Sequence, residues 1–379
     1  MNYYQKTQTA PVKDILRPLS SEIQVSKKAQ RQKELEEVSM NTKALRALLL
    51  VAVTAVLISA VLLSGCQAKK EANSVAVFVP GVVAGSPTYE MLVEGAKKAV
   101  KEKEEASIKI IEGGFNQGEW FTKVRNIAQT AQYDLIVTSN PAMPEICQKV
   151  SEEVPEQKFL VMDGYLKGNN SIFTFRFNQF EQAYLSGYFA GLVLKSGLTG
   201  KGKAGIIAGQ EYPDMNKAIK PGFKQGVKDV TGKSVDFRVV GNWYDATKAS
   251  ELARNMYSGD VGIILTIAGG ANQGVVQAAK NTGEYVNWFD VSGYDVAPGV
   301  VLGSTQIDLA RAAYEKTTAA LNGSLNYGNP EIVGVEEGYV TFVTDSPVYK
   351  KHVPESIRNN MNDLLKRMES GELSFPMPK

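Results

Sequence analysis

Val261-Gly262-Ile263-Ile264-Leu265-Thr266-Ile267-Ala268-Gly269-Gly270-Ala271-Asn272-Gln273-Gly274 is the stretch whose reading decides the fold. Its first half is apolar on both faces, as in a parallel strand covered by helices on either side. The glycine-rich turn then opens a helical pattern over 274–282, so strand, turn and helix follow one another as in an α/β unit. Working outward, similar Val- and Ile-rich runs occur at 75–79, 108–111, 135–137, 159–162, 206–208 and 237–240. Helical patterns lie between and beyond them at 91–103, 121–131, 183–194, 223–230, 248–257 and 310–321. The chain therefore reads as α/β, with doubly wound parallel sheets. From Gln67 onward it is long enough to exceed a single core, which stops growing near ~250–300 residues, so two lobes are expected.

Upstream, Leu63-Ser64-Gly65-Cys66 closes an apolar run over 47–63 that follows Lys43 and Arg46. This is the pattern of a lipoprotein signal peptide, cut before Cys66, which then carries the lipid. A membrane-spanning helix is the rival reading, but the run falls a little short of the ~20 residues needed to span. The expected order is an untranslated or disordered extension over 1–39, a signal peptide over 40–65 starting at Met40, and a lipidated tether over 66–74. The folded part would then be lipid-anchored at the cell membrane, facing the periplasm or the exterior. One acyl chain binds only marginally, so firm anchoring takes more than one.

Composition excludes several classes of function. The formal charge is +2 with scattered basic residues, which gives no footprint for nucleic acid. The single histidine, His352, lies far from any strand-end loop, and neither metal-ligand spacing nor a G-x-S-x-G elbow occurs. The chain is therefore not expected to be an enzyme, nor to need a cofactor or metal. Cys147 reads as a buried free thiol. Gly197-Leu198-Thr199-Gly200-Lys201-Gly202-Lys203-Ala204 comes close to a phosphate-binding loop, but Ala204 replaces the magnesium-binding hydroxyl and the stretch leads into a strand. It reads as a helix-to-strand turn. The loop at Gly270 does follow a strand and exposes backbone N–H groups, but lacks a lysine, so it suits close approach of a neutral ligand.

In open parallel sheets ligands collect at the carboxyl ends of strands. The loops there are polar and aromatic: 81–89, 115–120, Ser139-Asn140-Pro141, Asp163-Gly164-Tyr165, Phe177-Asn178, 210–214, Asn242-Trp243-Tyr244-Asp245, 268–272 and Asp290. Two such sheets facing across a cleft would surround one small molecule with aromatic faces and hydrogen-bonding groups.

The residues also resemble a known family. Phe159-Leu160-Val161-Met162-Asp163, the 181–190 segment, Gly222-Phe223-Lys224-Gln225-Gly226-Val227, the 242–253 stretch, Ala268-Gly269-Gly270 with Gly274-Val275, and Val300-Val301-Leu302-Gly303-Ser304 are similar, in order and spacing, to the basic membrane protein family. These are substrate-binding lipoproteins of ABC importers, best known as purine nucleoside receptors. The resemblance implies the type I periplasmic-binding-protein fold: two parallel-sheet lobes joined by three hinge crossings, expected near 176–178, 302–306 and 337–341. Lobe 1 would comprise 75–176 plus 303–336, and lobe 2 would comprise 177–302 plus 337–379.

Departures from the nucleoside pattern narrow the ligand. The acidic loop after the family's first strand is here Gly85-Ser86-Pro87-Thr88-Tyr89-Glu90, leaving Tyr89 as its aromatic. A second stacking ring falls at Trp243-Tyr244, the ribose-binding aspartate aligns with Asp290, and an expected lysine aligns near Ile307. Val79-Pro80-Gly81-Val82-Val83 with Gly85-Ser86, and Gly113-Gly114-Phe115-Asn116-Gln117, look similar to the riboflavin-binding branch of the family. Riboflavin, a flat ring on a polyhydroxyl chain, is thus the expected ligand. A purine nucleoside, or a ligand-sensing surface role, is the alternative. Tyr89, Trp243 and Tyr244 are expected to sandwich the ring, with Tyr165 or Trp120 closing an edge. Asn140, Asn178, Asn272 and Asp290 are expected at the ring edge or the hydroxyls. Core packing of the aromatics and loop capping by Asn and Asp are the competing explanations. An ABC permease is the expected partner, approached once the ligand has closed the lobes.

Overall fold

The computed structural model describes residues 73–378. The expectations for 1–39, for the signal peptide and for Cys66 lie outside them. Among the described residues no helix is long and apolar enough to cross a membrane.

The apolar runs form strands of two six-stranded sheets. The first holds β1 (Ser74–Val79), β2 (Ser107–Glu112), β3 (Leu135–Ser139), β4 (Lys158–Met162), β5 (Ile172–Phe177) and β11 (Glu331–Val333), in the order β11-β5-β4-β3-β1-β2. The second holds β6 (Lys203–Ala208), β7 (Val235–Val239), β8 (Val261–Ile267), β9 (Tyr285–Trp288), β10 (Val301–Ile307) and β12 (Val340–Phe342), in the order β12-β10-β9-β8-β6-β7. All pairings are parallel except β10 with β12. In both sheets the chain moves one strand outward and then reverses past its start. The switch point therefore lies between β1 and β3 in one sheet and between β6 and β8 in the other. Every residue of β1 and β8 is buried, as strands covered on both faces must be. This is the expected α/β, two-lobed type I periplasmic-binding-protein fold.

The helices are α1 (Pro87–Lys101), α2 (Trp120–Gln129), α3 (Met143–Glu153), α4 (Gln179–Ser196), α5 (Lys220–Thr231), α6 (Ala246–Ser258), α7 (Asn272–Thr282), α8 (Leu309–Leu321), α9 (Pro347–His352) and α10 (Glu355–Glu369). Cys147 is buried on α3. Three helix pairs approach closely, α1 with α8, α4 with α5, and α6 with α7. Each contact is made at glycine: a Cβ on Gly95 would overlap the Ala310 carbonyl, one on Gly187 the Phe223 carbonyl, and one on Gly274 the Ala246 carbonyl. Gly222 and Gly226, part of the family resemblance, meet the Phe180 and Tyr184 carbonyls of α4 in the same way. Gly197 ends α4 in the left-handed conformation and turns the chain into β6, which is the role expected of the phosphate-loop lookalike.

The chain passes between sheets after β5, after β10 and between β11 and β12. At the first passage the Asn178 N–H donates to the Val333 carbonyl at 2.7 Å, tying it to the third. The second lies further along than expected. Residues 303–307 pair with β9 and β12, so they belong to the second sheet and not to the first lobe. Their polar character suggested a crossing, yet Ser304 and Thr305 are fully buried strand residues. The Ser304 hydroxyl accepts the Gly293 N–H at 2.8 Å, and Thr305 meets the Ser186 hydroxyl at 3.3 Å.

The close helix contacts make a stability prediction. Gly187→Ala forces α4 and α5 apart and is expected to cost roughly 1–3 kcal/mol in chemical denaturation. Gly200→Ala, where a Cβ meets no heavy atom within 4 Å, is expected to cost far less. Equal losses would contradict the close-packed reading of the pair.

Candidate functional site

The carboxyl ends of the two sheets carry unusual backbone. Asn140 after β3 (φ 130°), Asp163 after β4 (φ 54°) and Asp290 after β9 (φ 70°) all take positive φ without being glycine. Such residues are sparse and are held in place by their surroundings. The Asn140 N–H donates to the Met162 carbonyl at 3.1 Å and its side chain accepts the Ala142 N–H at 3.0 Å. Each carboxylate is held from the first turn of α4: Gln179 Nε2 donates to Asp163 at 3.3 Å, and Gln182 Nε2 donates to Asp290 at 3.1 Å.

Asp214, at the entry to α5, is the third acid of this group, and its carboxylate is paired with the Arg176 guanidinium of β5. Burial and the neighbouring charges of Asp290 and Asp214 push the Asp163 carboxyl well above its ordinary range, against the opposing pull of Arg176. Burial raises Asp290 to about 6, although the Gln182 hydrogen bond opposes the shift. Burial likewise raises Asp214, partly offset by Arg176. The Tyr212 hydroxyl is pushed up by burial and then by all three aspartates, so it sits among them. Oε1 of Gln179, Oε1 of Gln182 and Nε of Arg176 are buried without a hydrogen-bond partner in the protein. The Asp163 and Asp290 carboxyls and the two amide oxygens therefore lie where the lobes meet, beside the Arg176–Asp214 pair, an arrangement suited to a ligand rich in hydroxyl or N–H donors.

Aromatic rings flank this polar floor. Tyr89 donates its hydroxyl to the Pro80 carbonyl at 3.0 Å and lies against Gly81, with Asn140 and Asp163 as neighbours. On the other lobe Trp243 lies against Gly209, which follows β6, and beneath it run Gly269 and Gly270 after β8. Trp243 faces Tyr212 at 6.1 Å between ring centroids and is 37% exposed. Tyr89, Asn140, Trp243 and Gly270 thus lie around the two switch points. Tyr244 and Tyr165 are also exposed.

Other expected site residues are placed differently. Trp120 is a core residue of the first lobe, 3% exposed, with its indole N–H on the Gly114 carbonyl at 2.8 Å. The exposed ring of that segment is Phe115, whose edge is near Gly81 and Tyr89. Asn178 caps α4 through the Glu181 N–H and donates to the Phe375 carbonyl at 2.7 Å. The Asn272 side-chain Oδ1 accepts from the Thr266 hydroxyl and the Ala268 N–H at 2.6 and 2.8 Å, bracing the loop under Trp243. Sequence reading did not single out Arg176, Tyr212, Asp163, Asp214, Gln179 or Gln182 as site residues. Asp163 had a signal, since it ends an apolar run just as Asp290 does; Arg176 had another, a lone charge inside the run Ile172-Phe173-Thr174-Phe175-Arg176-Phe177.

Comparison with known proteins places the chain in a family. The model of the Bmp family, described as ABC transporter substrate-binding protein, PnrA-like, matches residues 72–374. The chain belongs to that family. The Bmp family comprises substrate-binding components, not enzymes, as the residue inventory led one to expect. The "CD4+ T-cell-stimulating antigen" of Listeria monocytogenes is 29% identical over 41% of this chain, a match that spans only 42% of that relative's length. "Basic membrane protein A" of Borreliella burgdorferi is 23% identical over 82% of this chain and 92% of its own. The "ABC transporter nucleoside-binding protein BmpA" of Lactococcus lactis is 26% identical over 44% of this chain and 46% of its own. Among solved structures, an ABC transporter solute-binding protein from Aeropyrum pernix K1 superposes with a TM-score of 0.68 at 20% identity, covering 81% of this chain and 94% of that one. It shares the fold.

The raised Asp290 in this Bmp-family cleft has a measurable consequence. Its pKa rises from ~3.9 unfolded to about 6 folded. Its contribution to stability is therefore fully present below pH ~4 and lost as the pH rises through 6. Two units at ~1.36 kcal/mol each make this roughly 2–3 kcal/mol. Asp290→Asn is expected to gain that much relative to the wild type between pH 4 and 7.5 in denaturant titrations of the ligand-free protein. A difference independent of pH would show that Asp290 is not held in this environment.

Proposed function

We propose that the protein captures a flat aromatic solute bearing a polyhydroxyl chain, riboflavin before other candidates, and delivers it to an ABC permease. The observation that carries this reading is an aromatic wall on each lobe: Tyr89 beside Asp163 on the first, and on the second Trp243 against Tyr212, whose hydroxyl feels the charges of Asp163, Asp214 and Asp290. A ring between the two walls stacks, and hydroxyls below it find carboxyl oxygens to accept their hydrogen bonds. Pro80 and Gly81, within the 79–83 stretch similar to the riboflavin-binding branch, hold the Tyr89 ring, which supports riboflavin over other rings. A purine nucleoside is the second reading, favoured by Asp290 and by the printed name of the Lactococcus lactis relative.

On this reading the two sheets with their helices are lobes that swing about the three passages. Ligand selects the closed form because only that form touches it from both sides. Acylated Cys66 holds the protein at the membrane, beside the permease. Asp163 and Asp290 also disfavour an anionic ligand, so a phosphorylated form of the solute would be a poor one.

Titration calorimetry of the full chain with riboflavin and with adenosine tests the proposal. Riboflavin is expected to bind more tightly than adenosine, and Trp243→Ala is expected to weaken riboflavin binding about 10- to 100-fold, roughly 1.5–3 kcal/mol. Heat from neither compound, or an unchanged affinity in Trp243→Ala, would sink it.

A further inference from the structure

Arg176 and Asp214 are each less than a tenth exposed, yet they belong to different lobes: Arg176 to β5 of the first sheet, Asp214 to the loop after β6 of the second. A pair this dry is ordinarily a fixed part of a core, where removing one partner strands a charge that has no route to water. Here the two charges sit on bodies linked covalently by the three passages between sheets, and on the reading that these bodies swing apart, opening the cleft would return both to solvent. Each also has an opposite charge on its own lobe. Arg176 acts on Asp163, and Lys217 acts on Asp214. An open cleft therefore leaves neither charge uncompensated, while closure adds the contact between lobes.

We propose that Arg176 and Asp214 form a latch between the lobes, one that favours the closed cleft and sets the residence time of the ligand. The proposal rests on the reading that the lobes move and that the ligand lies between them. It assigns the pair a role in closure, not in touching the ligand. Closure energy is shared by every ligand the cleft accepts, so the latch lengthens residence without altering which ring is preferred.

The test uses the full chain in detergent micelles, with Cys66→Ser and spin labels on Lys149→Cys and Glu251→Cys, both exposed and on opposite lobes. Cys147 is buried with its thiol pKa raised by burial, so it stays unlabelled. Arg176→Gln and Asp214→Asn are each expected to shift the ligand-free interlabel distances towards a longer, open population. Riboflavin dissociation is expected to become about tenfold faster, with adenosine affected by a similar factor. The double variant should be no more open than either single one, since both remove the same contact. The thermal midpoint of the ligand-free protein should move by only a few degrees, because the orphaned charge escapes by opening.

Unchanged distances and dissociation rates in the single variants would overturn the latch. So would additive effects in the double variant, or a collapse of the thermal midpoint in both singles, which is the mark of a fixed core pair. The distance measurement needs no ligand. A wild-type protein that binds neither riboflavin nor adenosine would defeat the proposed function while the distances still judge the latch.

Discussion

The first turn of α4 ties the passages between the lobes to the floor of the cleft. Of the five side chains at 178–182, the N-cap and first turn, four hold other groups, while Phe180 packs on Phe375. Asn178 caps the helix and holds the C-terminal segment. Gln179 holds Asp163 of the first lobe, and Gln182 holds Asp290 of the second. Glu181 accepts the Val335 N–H of the third passage at 3.0 Å and the Phe375 N–H at 3.1 Å. Burial raises the Glu181 pKa although both N–H groups oppose it. Concentrating acids at a helix N-terminus is electrostatically sound, because the orphan N–H groups and the helix dipole favour negative charge. A displacement of this turn therefore moves the hinge contacts and both cleft carboxylates together.

Much of this was legible in the sequence where one physical rule acted alone. β8 and the turn after it stood out because a strand buried on both faces must be apolar throughout, and because its glycines follow a strand and open a helix; that the Trp243 segment lies directly over this turn emerged only from the structure. Asp290 was visible through the family resemblance, which aligns it with a ribose-binding aspartate. Sequence reading went astray where polar residues serve the interior. The Ser304-Thr305-Gln306 segment looks like a crossing, but two of its side chains satisfy buried partners inside the sheet. Arg176 lies in what looked like a passage, and its partner Asp214 is distant in sequence, so no local pattern pointed to the pair. Trp120 and Phe115 exchange the roles their types suggest: the larger ring turns inward once its N–H finds the Gly114 carbonyl, and the smaller one stays exposed. Asn178 and Asn272 turned out to support loops and caps, which is the common task of asparagine at such positions.

The electrostatics of the cleft give it a chemical preference that aromatic content alone would not. Asp163, which feels the charge of Asp290, and Asp290 itself are held by uncharged amides, poorly disposed towards further negative charge and well disposed towards donors. Arg176 does not reverse this balance, because Asp214 already takes up its charge. A neutral ring with hydroxyls meets both demands, stacking above and donating below.

The most direct measurement is a crystal structure of the protein grown with riboflavin. The account predicts the ring between Tyr89 and Trp243, with chain hydroxyls within hydrogen-bond distance of Asp290 or Asp163. Flavin seated outside the cleft, for instance in the surface groove formed by Phe121, Ala142 and Ile146 on the first lobe, would contradict it.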